Sequence, residues 1–234
     1  MFDITGGISL PNPSVADRNV PAASKGHCTA HTVLGDGEGT RIRAESWLEL
    51  CHQMLLNADE EVAALAEQQR FIFGEDEDDL REHIFDVIAT LHDGYRIAYT
   101  IKPEIRLASG VFLEEMAEVA WWVREYDFAD DVQLLTDADI DPIDLRNAQA
   151  MAAVREPDPE ADVAALAALE ALPEGASRSL RDLTIETGLK ARGYSAVIRL
   201  LRRGFAVQVE RGLIRPNALI KRSYCLQPAV YTTA

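Results

Sequence analysis

No stretch of this chain reaches the roughly 18 consecutive apolar residues that a membrane-crossing helix needs, so no bilayer-spanning segment is expected. Met1 to Asn12 has no basic start followed by an apolar run, and no secretory signal is read there. Cysteine is sparse. Cys28, Cys51 and Cys225 stand far apart with no paired spacing, which argues against a zinc site or a disulfide framework and fits a reducing cytoplasm. Positive charge is short as well: 23 Lys and Arg face 39 Asp and Glu, a net charge of −16. Taken alone, that balance disfavours nucleic acid as a partner. What remains is ordinary for a globular chain, with 47% apolar and 26% charged residues, and 234 residues suffice for one mid-sized domain plus a small one.

The charge is unevenly spread. From Arg178 to Arg222 eleven Lys or Arg stand against the three acids Asp182, Glu186 and Glu210, a local balance of +8 that leaves −24 for the rest. A basic carboxyl-terminal segment suits phosphates or an acidic partner protein. The acidic remainder repels DNA except where metal ions or local cations offset it.

Residues 1–40 are rich in Pro, Gly, Ser and Asn with little periodicity, and read as an irregular arm. Ala44 to Asn57 has an apolar face at helical spacing. Val62 to Phe73 reads as a strand or two, and Glu75 to Asp79 as an acidic loop. His83 to Leu91 and Tyr95 to Ile101 are apolar, β-branched and aromatic runs joined by His92-Asp93-Gly94, a hairpin signature that Pro103 ends. Ser109 to Tyr126 predicts a helix with Ser109 as N-cap, Asp131 to Thr136 a short strand, and Pro142 to Val154 another helix. Glu156-Pro157-Asp158-Pro159 marks a linker. Beyond it, helices are predicted over Glu160 to Leu172, Ser179 to Thr187 and Tyr194 to Arg203, the last two stopped by Gly188 and Gly204. Phe205 to Val209 and Leu213 to Ile220 then alternate like a small hairpin. The division expected is an arm over 1–40, an α/β core over 41–155, and a winged-helix-like domain with a tail over 156–234.

Asp86 interrupts a run otherwise fit for a buried strand, Ile84-Phe85-Asp86-Val87-Ile88. An ionised carboxylate there costs several kcal/mol unless it is paired, hydrogen-bonded or metal-bound. Alternation across the turn puts Ala98, Thr100 and Lys102 on one face, so Asp86 and Lys102 can meet at one end of the hairpin. An acid on one strand and a lysine ending the next are the pattern of a PD-(D/E)XK site, in which the acid holds Mg²⁺ or Mn²⁺ and the lysine places the attacking water. A structural ion pair at a sheet edge is the plainer alternative.

The flanking segments, taken in order, resemble the TnsA-like transposon endonuclease family over about residues 40 to 155. Glu45-Ser46-Trp47-Leu48-Glu49 resembles the helix start that supplies the first acid, and Glu67-Gln68 a strand with an acid–glutamine pair. His83-Ile84-Phe85-Asp86 resembles the metal-binding strand, and Ile97 to Pro103 the strand ending in the catalytic lysine. The following helix, the strand Val132 to Thr136, and Asn147-Ala148 also fall in the expected order. The resemblance implies a PD-(D/E)XK restriction-endonuclease-like α/β core, a mixed sheet flanked by helices. It implies Glu49, Asp86 and Lys102 as catalytic residues, with Glu49 and Asp86 holding the metal. Glu45 stands as runner-up one helical turn before Glu49, and Gln68 and Thr100 are auxiliary candidates, with His83 near the site. It implies DNA as substrate, cut at mobile-element ends with a partner transposase and an ATPase regulator.

This sequence departs from that pattern at Thr100, where the fold usually has Glu, Asp or Gln two residues before the lysine. A hydroxyl is a weak neutral ligand beside a carboxylate; the Ile101 carbonyl and waters would have to complete the shell. A catalytically weakened nuclease fold that binds DNA or a partner is therefore the second reading. A winged-helix regulator with an acidic sensor domain is a third, and it leaves the Asp–Lys hairpin unexplained. For the carboxyl-terminal domain, Arg192, Arg199, Arg202 and Arg203, then Arg211, Arg215, Lys221 and Arg222, are the candidate DNA- or partner-binding cations.

Overall fold

The computed structural model describes residues 10–18 and 28–223. Cys225 and most of residues 1–12, where a secretory signal would begin, lie outside them. The chain forms two compact units, Met1–Leu145 and Arg146–Ala234.

The first unit opens with a hairpin, β1 (Ala30–Leu34) paired antiparallel with β2 (Thr40–Ala44). This corrects the irregular arm expected up to residue 40. The glycines that read as lack of structure make the reversal: Gly35, Gly37 and Gly39 all have positive φ. Leu34, Ile42 and Ala44 are buried on the hairpin's inner side. Helix α1 (Trp47–Ala58) follows, capped by Ser46, whose hydroxyl accepts the Glu49 N–H. Then come β3 (Val62–Phe73), β4 (Arg81–Leu91) and β5 (Arg96–Ile101), helix α2 (Val111–Glu125), and β6 (Asp131–Leu135). Gly110, at φ 76, takes the N-cap place of α2 without a side-chain bond, so Ser109 does not cap it.

The four strands form one sheet in the order β3-β4-β5-β6, antiparallel except for the parallel β5–β6 pair. Val87, Ala89, Tyr99 and Ile101 pack with Leu48 and Leu56 of α1. Phe71, Phe73, Phe85, Ile88 and Ala98 pack with Met116, Val119 and Val123 of α2. The unit is thus a mixed sheet with a helix on each face. Strand alternation shifts between Val62 and Ala64, and it breaks again in the middle of the β3–β4 pair. Leu65 lies on the α1 side but Phe71 and Phe73 on the α2 side, and Val87 and Phe85 divide the same way. The change falls at Gln68, a non-glycine residue with φ 50, and at Asp86, which lies between the register pairs Glu67–Val87 and Gln69–Phe85.

Helix α3 (Pro142–Ala153) contains the boundary between the units. The division falls ahead of the Glu156–Pro159 segment because Met151 and Val154 pack into the second unit's core. Asn147 belongs there too: its Nδ2 donates to the Gly212 carbonyl at 2.9 Å and its Oδ1 accepts the Ile214 N–H at 2.8 Å. The second unit continues with α4 (Pro159–Glu170), β7 (Arg178–Ser179), α5 (Leu180–Glu186), α6 (Ala191–Arg202), β8 (Ala206–Gln208) and β9 (Leu219–Arg222). Its sheet has the order β7-β9-β8; the strand pairing with β8 is Leu219–Arg222 rather than the expected Leu213 to Ile220, and β7 adds a third strand. Ala161, Ala165, Leu169, Leu183, Val197, Leu200 and Ile220 are among its core residues. Among the described residues no helix is long and apolar enough to cross a membrane.

Candidate active site

Asp86 sits where β4 and β5 part. Their pairing runs from Thr90–Arg96 to Val87–Tyr99 and stops there. Beyond it the Asp86 carboxylate enters the gap, and Oδ2 accepts the Ile101 backbone N–H at 2.6 Å. The side chain does the work of a ladder carbonyl. Lys102, the residue just past the end of β5, brings Nζ to 3.8 Å from the same oxygen. The lysine is 40% exposed and Asp86 only 6%, so the pair joins a buried acid to a cation reaching from solvent. Burial pushes the Asp86 pKa up, while Lys102 and the Ile101 N–H pull against that rise.

Glu49 supplies the second buried carboxylate, at 7% exposure. It is the third residue of α1 and reaches back over the helix start. Oε2 accepts the Glu45 N–H at 2.8 Å, and Oε1 accepts the Ser46 hydroxyl at 2.9 Å. Ser46-x-x-Glu49 is the sequence form of a capping box, here displaced so that the glutamate takes the N–H one residue before the N-cap. Burial, then the charge of Asp86, raise the Glu49 pKa to about 7. The two acids therefore interact, and both resist ionisation. Glu45 lies ahead of α1 rather than on its face, with its carboxylate on Arg18 at 2.6 Å; the extended backbone at Ser46 removes it from the helix.

Gln68 is fully buried. Its Nε2 donates to Glu49 Oε2 at 3.4 Å, and its Oε1 accepts from Arg18. The neighbouring Glu67 turns to Ser14, whose hydroxyl donates to it at 2.5 Å. Thr100 is buried, and its hydroxyl lies 2.9 Å from His83 Nε2. Burial, then Lys102, lower the His83 pKa to about 4, so the ring is neutral at pH 7. His83 thus sits beside the site, and it occupies the Thr100 hydroxyl.

The residues brought together are Glu49, Asp86, Lys102 and Gln68, with Thr100 and His83 adjoining. Among the described residues no group of three or more His, Cys, Asp or Glu side chains is set to hold a metal ion; the acids that converge are two. Their hard oxygens suit Mg²⁺ or Mn²⁺, and a divalent cation would relieve the repulsion between them. Arg18 has no periodic or turn signal around it, and nothing in the sequence marks it as part of the site. The Ser46–Glu49 capping spacing was legible there.

In the second unit the expected arginine cluster divides. Arg199 is 4% exposed, with Nε on Asp162 at 2.7 Å and Nη1 on the Val154 carbonyl at 3.2 Å. It is a core ion pair, which corrects its assignment as a DNA- or partner-facing residue: the α6 face carrying Ala196 and Leu200 also carries it inward. Arg192 is exposed but forks onto Asp158 at 2.7 Å and reaches Glu160 at 2.6 Å. Arg203 lies 3.7 Å from Asp162. Arg202, Lys221 and Arg222 are partly buried, whereas Arg211 and Arg215 are exposed.

No protein-family model matches this chain, and no curated protein matches it either.

Proposed function

We propose that the first unit is a PD-(D/E)XK nuclease core resembling the TnsA-like endonucleases, a metal-dependent hydrolase of DNA phosphodiesters acting with a transposase at mobile-element ends. One observation carries this reading. Two carboxylates are buried here, Glu49 and Asp86, with a lysine reaching from solvent onto Asp86, and burial together with the Asp86 charge raises the Glu49 pKa to about 7. The order helix, strands, hairpin, helix, strand and the mixed sheet support the same fold assignment.

Glu49 and Asp86 would hold Mg²⁺ or Mn²⁺, with the Ile101 carbonyl and water as further donors. The bound ion supplies charge neutralisation at the scissile phosphate and a lowered pKa for attacking water. Lys102, half in solvent, presents a positive charge to the incoming phosphate and orients the water by donating to it. The Ile101 N–H keeps one Asp86 oxygen fixed, leaving the other for the ion. A winged-helix character for the second unit is supported by helices α4 to α6 followed by the β8–β9 pair. Of the candidate cations of that unit, Arg211 and Arg215 are exposed and could meet phosphate or an acidic partner.

The test is nicking of supercoiled DNA with Mg²⁺ or Mn²⁺, with and without the partner transposase, for wild type, Asp86→Asn and Lys102→Met. Metal-dependent nicking that disappears in both variants is expected. No cutting under any of these conditions, together with no Mn²⁺ uptake by calorimetry, would remove the reading. A second reading, a nuclease fold kept for binding, is favoured by Thr100, whose hydroxyl is engaged by His83 where the fold usually has an acid or amide. It expects DNA or partner binding that survives both substitutions.

A further inference from the structure

Gln68 has no part in the acid–lysine chemistry, yet its placement is demanding. It is a fully buried non-glycine residue at φ 50, a conformation that persists only where the surroundings impose it. The imposing contacts come from residues 14–17, laid along the outer edge of β3. The Asp17 N–H donates to the Gln68 carbonyl at 3.2 Å, and the Asp17 carboxylate accepts the Arg70 N–H at 2.9 Å. Asp17 thus holds the chain on the carboxyl side of the left-handed residue, at the Gln68 carbonyl and the Arg70 N–H, while Gln69 Nε2 donates to the Val15 carbonyl at 3.0 Å.

The side chain is ordered by Arg18. Its Nε and Nη2 donate to Gln68 Oε1 at 3.2 and 2.8 Å. Nη2 also reaches Glu45 Oε1 at 2.6 Å. With Oε1 so taken, the Gln68 NH₂ faces Glu49 Oε2 at 3.4 Å. The opposite amide orientation would press NH₂ against a guanidinium and a carbonyl against a carboxylate, and both arrangements repel. The arginine therefore dictates which end of the amide the glutamate meets.

We infer that Arg18 and Gln68 form a positioning relay for Glu49, in which the guanidinium orients the buried amide and the amide N–H fixes the glutamate oxygen. The relay supplies from β3 a fixed polar contact that Thr100, bonded to His83, does not supply from β5. Neither residue touches reacting atoms; both act through Glu49. The metal-binding consequence rests on the nuclease reading, and the relay's existence does not.

Two measurements on the full chain separate them. In metal-free protein, the Gln68 side-chain NH₂ signals in ¹⁵N-resolved NMR are expected to move on Arg18→Met and on Glu49→Gln. By calorimetry, Mn²⁺ affinity is expected to fall about tenfold or more in Arg18→Met and Gln68→Met, the size typical when a group that orients a metal ligand is removed, with partial recovery in Arg18→Lys. Arg18 is partly exposed at 37%, so its substitution leaves the core intact. Gln68 signals unmoved by both substitutions would overturn the relay whatever the metal result. Unchanged Mn²⁺ affinity in both Met variants, in a protein that does bind Mn²⁺, would overturn it equally. Should wild type bind no Mn²⁺ while the Gln68 signals respond, the nuclease reading falls and the relay stands as a device that fixes Glu49.

Discussion

The Asp86 carboxylate accepts the Ile101 backbone N–H at 2.6 Å, standing in for a strand-to-strand bond that β4 and β5 do not make beyond Val87–Tyr99. This hydrogen bond separates the residue's structural and chemical roles. Asp86→Asn keeps an acceptor oxygen for Ile101; Asp86→Ala leaves a buried N–H unmet, at a cost of about 1–3 kcal/mol. Chemical denaturation should therefore find Asp86→Ala less stable than Asp86→Asn by that margin. On the proposed nuclease reading, both should fail to bind Mn²⁺. Equal stability of the two variants would show that the Ile101 hydrogen bond carries no energy.

Glu49 gives a pH dependence whose sign follows from its raised pKa. The folded protein holds a proton on Glu49 up to about pH 7, whereas the unfolded chain releases it near pH 4.5. The stability it contributes is complete below that lower value and falls away as pH rises through the upper one, about 3 kcal/mol at most. Glutamine at this position still serves the helix start and carries no charge. Glu49→Gln is expected to match wild type at about pH 4 and to exceed it at about pH 8 in metal-free protein. A constant difference across that range would contradict the shifted pKa.

The α1–β3–β4–β5–α2–β6 order was legible because each element carries its own periodicity or turn: the Asp93-Gly94 reversal, the apolar stripe around Met116, and the polar break at Asp86. The Asp86–Lys102 approach follows from hairpin alternation and was readable for that reason. The side switch at Gln68 was not, since a left-handed glutamine is imposed by Asp17 and Arg18 from a distant segment and leaves no local mark. Arg199 was misassigned because a helix face with many arginines looks solvated until its buried acid, Asp162, is located on α4. Sequence spacing identifies residues on one element, whereas partners across elements are fixed by packing.

Lys102 holds the Asp86 pKa down and the His83 pKa down as well. Lys102→Met should raise both. The His83 ring is the convenient reporter: its titration, followed by ¹H–¹³C NMR, should move upward from about pH 4. Because burial is the larger cause, it should remain below the ordinary histidine range. A ring that titrates unchanged would mean the ammonium group lies elsewhere in solution.

Arg199 and Asp162 form a buried pair with Nη2 to Oδ1 at 2.6 Å, their side chains 5% and 9% exposed. Removing one partner strands the other charge, and the resulting destabilisation runs to about 3–5 kcal/mol. Arg203, 3.7 Å from Asp162, offsets part of this, so Arg199→Met is expected at the lower end. Adding Asp162→Leu should restore most of the stability, since an apolar pair of similar volume often replaces a buried ion pair without penalty. The same double variant answers the question of nucleic-acid binding. If Arg199 serves only the core, the double variant keeps the wild-type salt dependence of DNA binding, while Arg211→Ala with Arg215→Ala lowers the slope by about 0.9 for each phosphate no longer neutralised. A reduced slope in the Arg199 double variant would mean that this arginine meets phosphate and would refute its placement in the core.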